Sequence, residues 1–141
     1  MRFVLVVNPQ SGKKQSTALL NTIKPIFDSS VIELSIITTD FPGHARELAS
    51  ELEFTDYDGL LILGGDGTFH EVVNGMLGRQ DGMALPIGLI PGGSGNSVAH
   101  DLGLLDPIAA AKAIVVVIKA IKKRRTPKSS FVPTDIFTTF F

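Results

Sequence analysis

The 141-residue chain contains no cysteine. That excludes disulfides, thiolate metal sites and cysteine nucleophiles together, so its chemistry has to come from carboxylates, hydroxyls, amides and the backbone. No apolar run approaches the length of a membrane span. Phe3-Val4-Leu5-Val6-Val7 is too short for the core of a signal peptide and no cleavage signal follows it, so it reads as a first buried strand. A cytoplasmic location is the expectation that fits. Internal repeats, low-complexity tracts and metal-ligand spacings are absent as well. The formal net charge of −1 hides an asymmetry: residues 1–111 hold 6 Lys/Arg against 13 Asp/Glu, and residues 112–141 hold 7 against 1. Such an imbalance bears on partners rather than on fold.

What is present centres on Leu60 to Asn74, L-L-I-L-G-G-D-G-T-F-H-E-V-V-N. Leu60 to Leu63 fit a strand buried on both faces, as in a parallel sheet. The strand stops at Gly64-Gly65-Asp66-Gly67-Thr68, after which Phe69, Val72, Val73 and Met76 recur at helical spacing. A strand, a glycine turn and a helix make an anion site, because glycine lets the backbone approach closely and the new helix presents free N–H groups. Asp66 fits that site less simply. A lone Asp-Gly is most often a turn or helix cap, whereas beside a phosphate a carboxylate serves a metal ion or accepts a proton from an attacking hydroxyl.

The rest of the chain, one domain by length, repeats the strand-helix order. Phe3 to Val7 runs into Asn8-Pro9-Gln10-Ser11-Gly12-Lys13-Lys14, a polar loop without the spacing of a P-loop. Leu19, Leu20, Ile23 and Phe27 predict a helix that kinks or ends early at Pro25. Val31 to Thr38 predicts a second strand, and Ala45, Leu48, Ala49 and Leu52 a second inner helix face. His44 reads as a capping or surface residue. A polar turn at Gly78 to Gly82 leads to a strand over Leu85 to Ile90 and a second glycine loop, Pro91 to Ser97. Asp106-Pro107 opens a helix over Ile108 to Ile121, chosen over strand despite Val115-Val116-Val117-Ile118, and Lys122-Lys123-Arg124-Arg125 closes it. Asp135 to Phe141 reads as a strand. Every unusual loop follows a strand, which implies a three-layer α/β/α fold on an open, mostly parallel sheet with the loops at one edge.

Five blocks in register are similar to the diacylglycerol kinase catalytic domain, whose superfamily includes sphingosine and ceramide kinases. They are V-N-P-Q-S-G at 7–12, T-D-F-P-G-H-A at 39–45, G-G-D-G-T at 64–68, E-V-V-N-G at 71–75 and P-G-G-S-G-N-S at 91–97. Diacylglycerol kinases usually carry G-T-x-N-D in the last block. Gly93-Ser94-Gly95-Asn96-Ser97 is closer to the sphingosine and ceramide kinase form, which favours a sphingoid base or ceramide as substrate, with diacylglycerol next.

The resemblance implies a nucleotide-binding domain over 1–125, related to phosphofructokinase and NAD kinase, followed by a β-rich domain with ATP in the cleft between them. Residues 126–141 would be the linker and the first strand of that second domain. The chain stops near Thr134-Asp135-Ile136-Phe137, where the second domain begins, so a fragment is expected. By the same resemblance Asn8, Ser11 and Gly12 line the phosphate end and Thr39 approaches the nucleotide. Gly65, Gly67 and Thr68 cradle phosphates, with Ser94, Gly95 and Asn96 facing them. Asp66 takes the proton of the lipid hydroxyl, and Mg²⁺ neutralises the phosphates. The expected partners are ATP, a lipid substrate and an anionic membrane met peripherally by the basic end; no nucleic acid is expected. The alternative is a non-catalytic nucleotide-binding or interaction module.

Overall fold

Four of the apolar runs form one parallel sheet in the computed structural model, which describes residues 1–93, 96–103 and 106–124. The strands are β1 (Arg2–Val7), β2 (Glu33–Thr38), β3 (Gly59–Gly64) and β4 (Ile87–Pro91), ordered β2-β1-β3-β4 with every pairing parallel. Alternation in β1 sends Phe3, Leu5 and Val7 to one face and Val4 and Val6 to the other. The first face is covered by α1 (Ser16–Asp28) and α5 (Pro107–Arg124), the second by α2 (His44–Glu51), α3 (Asp66–Leu77) and α4 (Ser97–Asp101). All of β3 is buried, as its unbroken apolar run requires. The three-layer α/β/α reading therefore holds. The strand expected over 135–141 lies outside the described residues.

Several boundaries differ from the sequence reading, two of them for a clear physical reason. Helix α1 runs through Pro25 to Asp28. The ring is on the exposed side, where water satisfies the carbonyl left without its N–H partner, while Ile23 and Phe27 are fully buried against the sheet. Strand β2 starts at Glu33, because Val31 adopts φ 57° to close the turn that follows α1. A β-branched residue in the left-handed region costs about 1–2 kcal/mol, and Val31 is 81% exposed, so no packing offsets that cost. Val31→Gly is accordingly expected to raise stability by roughly 1 kcal/mol despite glycine's greater chain entropy, read as a higher urea midpoint at unchanged slope. Strand β4 spans Ile87–Pro91 rather than Leu85 to Ile90, and α4, which begins at the last residue of the glycine loop, is a helix for which the sequence reading named no element.

The polar turn expected at 78–82 also does more than reverse the chain. Arg79 Nη1 donates to the carbonyls of Ala49, Ser50 and Leu52 at 3.1, 3.2 and 2.9 Å, closing the C-terminal end of α2. Its guanidinium lies 3.9 Å over the Phe54 ring, and Nε and Nη2 donate to Asp81. The side chain is only 5% exposed. Arg79→Met keeps the stem and leaves three carbonyls without a donor, so a loss of about 2–4 kcal/mol is expected in urea unfolding. No loss would mean that water serves those carbonyls equally well.

Candidate functional site

The strand order fixes where a ligand can sit. From β1 the chain turns outward to β2, and from β3 it turns the other way to β4. The loops after β1 and β3 therefore diverge, leaving a crevice at the carboxyl edge. Asn8 bridges that crevice: its backbone N–H donates to the Leu63 carbonyl at 3.1 Å and its amide to Thr68 Oγ1 at 3.0 Å. Thr68 is buried at 4% exposure, and its oxygen accepts from Asn8, which leaves the hydroxyl proton outside that bond. Asn8 Oδ1 in turn accepts the Gln10 N–H. Gly12 has φ 57°, and a Cβ there would stand 2.1 Å from the Gly92 carbonyl oxygen, so only glycine lets the β1 loop touch the β4 loop. Ser11 begins the short 3-10 turn at Gly12–Lys14 without a side-chain cap; its N–H donates to Asn8 and its carbonyl accepts the Ser16 hydroxyl at 3.4 Å.

The two glycine loops meet at Gly65 and Gly93, where a Cβ on Gly93 would lie 2.6 Å from Gly65 Cα. Asp66 spans the same junction. Its Oδ2 accepts the Ser97 N–H at 2.9 Å and its Oδ1 the Val98 N–H at 3.0 Å. The carboxylate of α3's first residue thus caps α4. Those two backbone donors, Val98 first, hold the Asp66 carboxyl below its ordinary 3.8. Asn96 occupies the N-cap position of α4 but makes no cap bond; its Oδ1 is buried and has no hydrogen-bond partner among the described residues. An orphaned buried acceptor calls for a hydroxyl, a water or a cation. Over α3's first turn the space is open: a Cβ on Gly67 would meet nothing within 4 Å. Ser94 and Gly95 lie outside the described residues.

Beside this junction a cleft of about 230 Å³ lies between the β1 loop, the segment after β2 and the start of α3. Thr39 lines it, 9% exposed and tied by its N–H to the Val7 carbonyl at 2.9 Å. Gly67 and Thr68 form the α3 wall. Sequence reasoning missed Glu71, whose Oε1 accepts the Gly43 N–H at 3.1 Å and so pins the loop ahead of α2. A helical spacing of four from Gly67 was the available signal, since it places Glu71 on the same face. Phe41 also lines the cleft and stacks on His44 at 4.5 Å, and His44 Nδ1 accepts the Asp40 N–H at 2.9 Å. The histidine is a loop buttress rather than a helix cap, since Gly43 holds the N-cap position of α2. Of the expected site residues, Asn8, Ser11, Gly12, Thr39, Gly65, Asp66, Gly67, Thr68 and Asn96 all fall on this one edge.

A parallel sheet with glycine loops meeting at its switch point is an open α/β ligand-binding fold. Residues 2–126 match the model of the diacylglycerol kinase catalytic domain, and the chain belongs to that family. It is 37% identical to sphingoid long-chain bases kinase 1 of Arabidopsis thaliana over 96% of this chain and 17% of that protein. Sphingosine kinase B of Dictyostelium discoideum is likewise 37% identical, over 79% of this chain and 15% of the relative. A solved diacylglycerol kinase from Bacillus anthracis str. Sterne superposes with a TM-score of 0.70 at 31% identity, covering 82% of this chain and 42% of that one. The chain thus spans about a sixth of the first two relatives' length.

Proposed function

We propose that residues 1–125 are the nucleotide-binding half of an ATP-dependent lipid kinase, and that 126–141 lead into a β-rich second domain that completes the lipid pocket. The observation that carries this reading is the junction of the two glycine loops, with an ionised Asp66 at its centre and open space over the first turn of α3. The nucleoside takes the cleft beside Thr39, and the phosphates lie over Gly65, Gly67 and Thr68, where N–H groups and the Thr68 hydroxyl donate to them. Asn8 and Gly12 hold the β1 loop against this cradle, Ser11 with them; Ser94 and Gly95 face it by resemblance.

The donor set suits Mg²⁺ brought by the phosphates. Among the described residues no cluster of three His, Cys, Asp or Glu could hold a metal alone, and Mg²⁺ in kinases typically takes one or two carboxylates plus substrate oxygens. Asp66 and the orphaned Asn96 Oδ1 are the protein groups that fit. When bound, the ion neutralises charge on the transferring phosphoryl. Asp66 has lone pairs left over from Ser97 and Val98, and these accept the lipid hydroxyl proton as the hydroxyl oxygen bonds to the γ-phosphorus and the bond from that phosphorus to the β–γ bridging oxygen breaks, releasing ADP. A carboxyl held below its ordinary value is a weak base, which suits a loose transition state in which proton transfer comes late.

A sphingoid base or ceramide is the favoured acceptor, with diacylglycerol next; the relatives named for sphingosine and sphingoid bases support that order. The test supplies ATP, Mg²⁺ and vesicles carrying sphingosine, ceramide or diacylglycerol, and follows phosphate into lipid while calorimetry reads ATP binding. Phospholipid product from sphingosine is the expected result. ATP binding with no product from any lipid is the outcome of the alternative, a non-catalytic nucleotide-binding or interaction module. No ATP binding would dispose of both.

A further inference from the structure

Helix α5 faces the sheet and α1 with Ala110, Ala111, Ile114, Val115 and Ile118, all buried. Its outer side has a different composition. Lys112, Lys119, Lys122, Lys123 and Arg124 are exposed, the helix contains no Asp or Glu, and among the described residues no ion pair involves these cations. Ile108, Lys112, Val116, Lys119 and Lys123 follow one another at spacings of four, four, three and four. They form one stripe about 80° wide and roughly 22 Å long. Val116 is 65% exposed and Ile108 37%, so two branched aliphatic side chains stand among the cations. The remainder of the chain up to residue 111 is acidic, 13 Asp/Glu against 6 Lys/Arg. The protein is therefore electrically two-sided.

We propose that the outer stripe of α5 is a docking face for an anionic lipid bilayer. The charge separation orients the acidic body away from a negative surface and brings the helix down along its length. Lysine stems lie along the interface with their ammonium groups at the headgroups, and Val116 and Ile108 enter the boundary between headgroups and acyl chains. A nucleic-acid face fits less well: backbone phosphates offer nothing to exposed aliphatics, and the stripe has no aromatic ring on which a base could stack. No residue of the stripe lines the cleft beside Thr39, so this inference does not rest on phosphoryl transfer.

The experiment sediments the full chain, without nucleotide, with phosphatidylcholine vesicles that contain or lack phosphatidylserine. Binding is expected only to the anionic vesicles and is expected to fall as salt rises. Each charge near such a surface is worth roughly fivefold, so Lys112→Gln, Lys119→Gln and Lys123→Gln together should weaken partitioning on the order of 100-fold. Val116→Ser should weaken it ~3–10-fold with no loss of charge. All four positions are exposed, and an unchanged circular dichroism spectrum and melting temperature establish that the variants fold. Absence of binding to anionic vesicles overturns the proposal. So does undiminished binding by the triple variant, which would assign the attraction to basic residues outside the stripe. A third result also overturns it: the triple variant loses vesicles and duplex DNA alike while Val116→Ser loses neither, marking a general polyanion surface.

Discussion

Asp66→Asn is expected to lower lipid-phosphorylating turnover by about 10²–10⁴-fold and to lower the melting temperature with it. The two effects have different sources. In turnover, the amide cannot accept the hydroxyl proton. In stability, the carboxylate gives one oxygen to Ser97 and the other to Val98, and an amide turns its NH₂ toward one of those N–H groups. One capping bond is lost and a donor faces a donor, which lowers stability modestly. Sequence alone leads to the expectation that the substitution spares the fold, because it shows a turn and hides the second helix.

Magnitude then decides between roles. A cap that shifts α4 changes what it positions by roughly a factor of ten at most. A missing proton acceptor costs far more. Turnover and melting temperature are to be read on one preparation, of this chain or of this chain extended by a relative's second domain if transfer needs it. A turnover loss below tenfold alongside a clear drop in melting temperature would make Asp66 a helix cap and nothing else. Acid adds an independent check. Because folding holds this carboxyl below its ordinary 3.8, its contribution to stability is present above that value and is lost as pH falls through the lower, folded one. Asp66→Asn should therefore flatten the acid limb of the stability curve.

The sheet was legible because each layer left its own period in the chain. Leu60 to Leu63 is buried on both faces, and the 3.6-residue spacing of Phe69, Val72, Val73 and Met76 returns as the α3 contacts of the second core. Helix α5 was legible despite the five β-branched residues from Ile114 to Ile118, since Asp106 accepts the Ile108 N–H at 3.0 Å as the N-cap reading requires. What was hidden is contact between segments distant in sequence. Val31 reads as strand by residue type, yet closing α1 forces it left-handed. Arg79 looks like a turn residue until the end of α2 is placed beside it. The site divides in the same way. Motif order located the loops, whereas the hold of Asp66 on α4 and of Glu71 on Gly43 exists only once the loops converge.

Gly65→Asp should abolish measurable ATP binding while leaving stability unchanged or slightly higher, two readouts that ordinarily fall together. Gly65 is the N-cap of α3, with φ −105° and ψ −166°, extended backbone that any residue adopts. Aspartate is among the best N-caps, because its carboxylate accepts N–H groups of the first turn and sits well with the helix dipole. Those are the N–H groups the phosphates are proposed to use. The new side chain would act as an internal anion, filling the cradle and repelling what remains of the nucleotide's charge. Hydrogen bonds from backbone to a charged group are worth about 1.5–3 kcal/mol each, so losing two weakens ATP by at least about 10²-fold before repulsion is added. The cap contributes up to about 1 kcal/mol in the other direction for folding, less whatever the contact with Gly93 resists. Calorimetry and urea unfolding on the same sample separate the cases. Unchanged ATP affinity would place the phosphates elsewhere than over α3. Lost affinity with a collapse of stability would show that the glycine is there for the contact between the loops, and that the cradle has not been tested by this change until Gly67→Asp, a position open to solvent, gives the same loss on an intact fold.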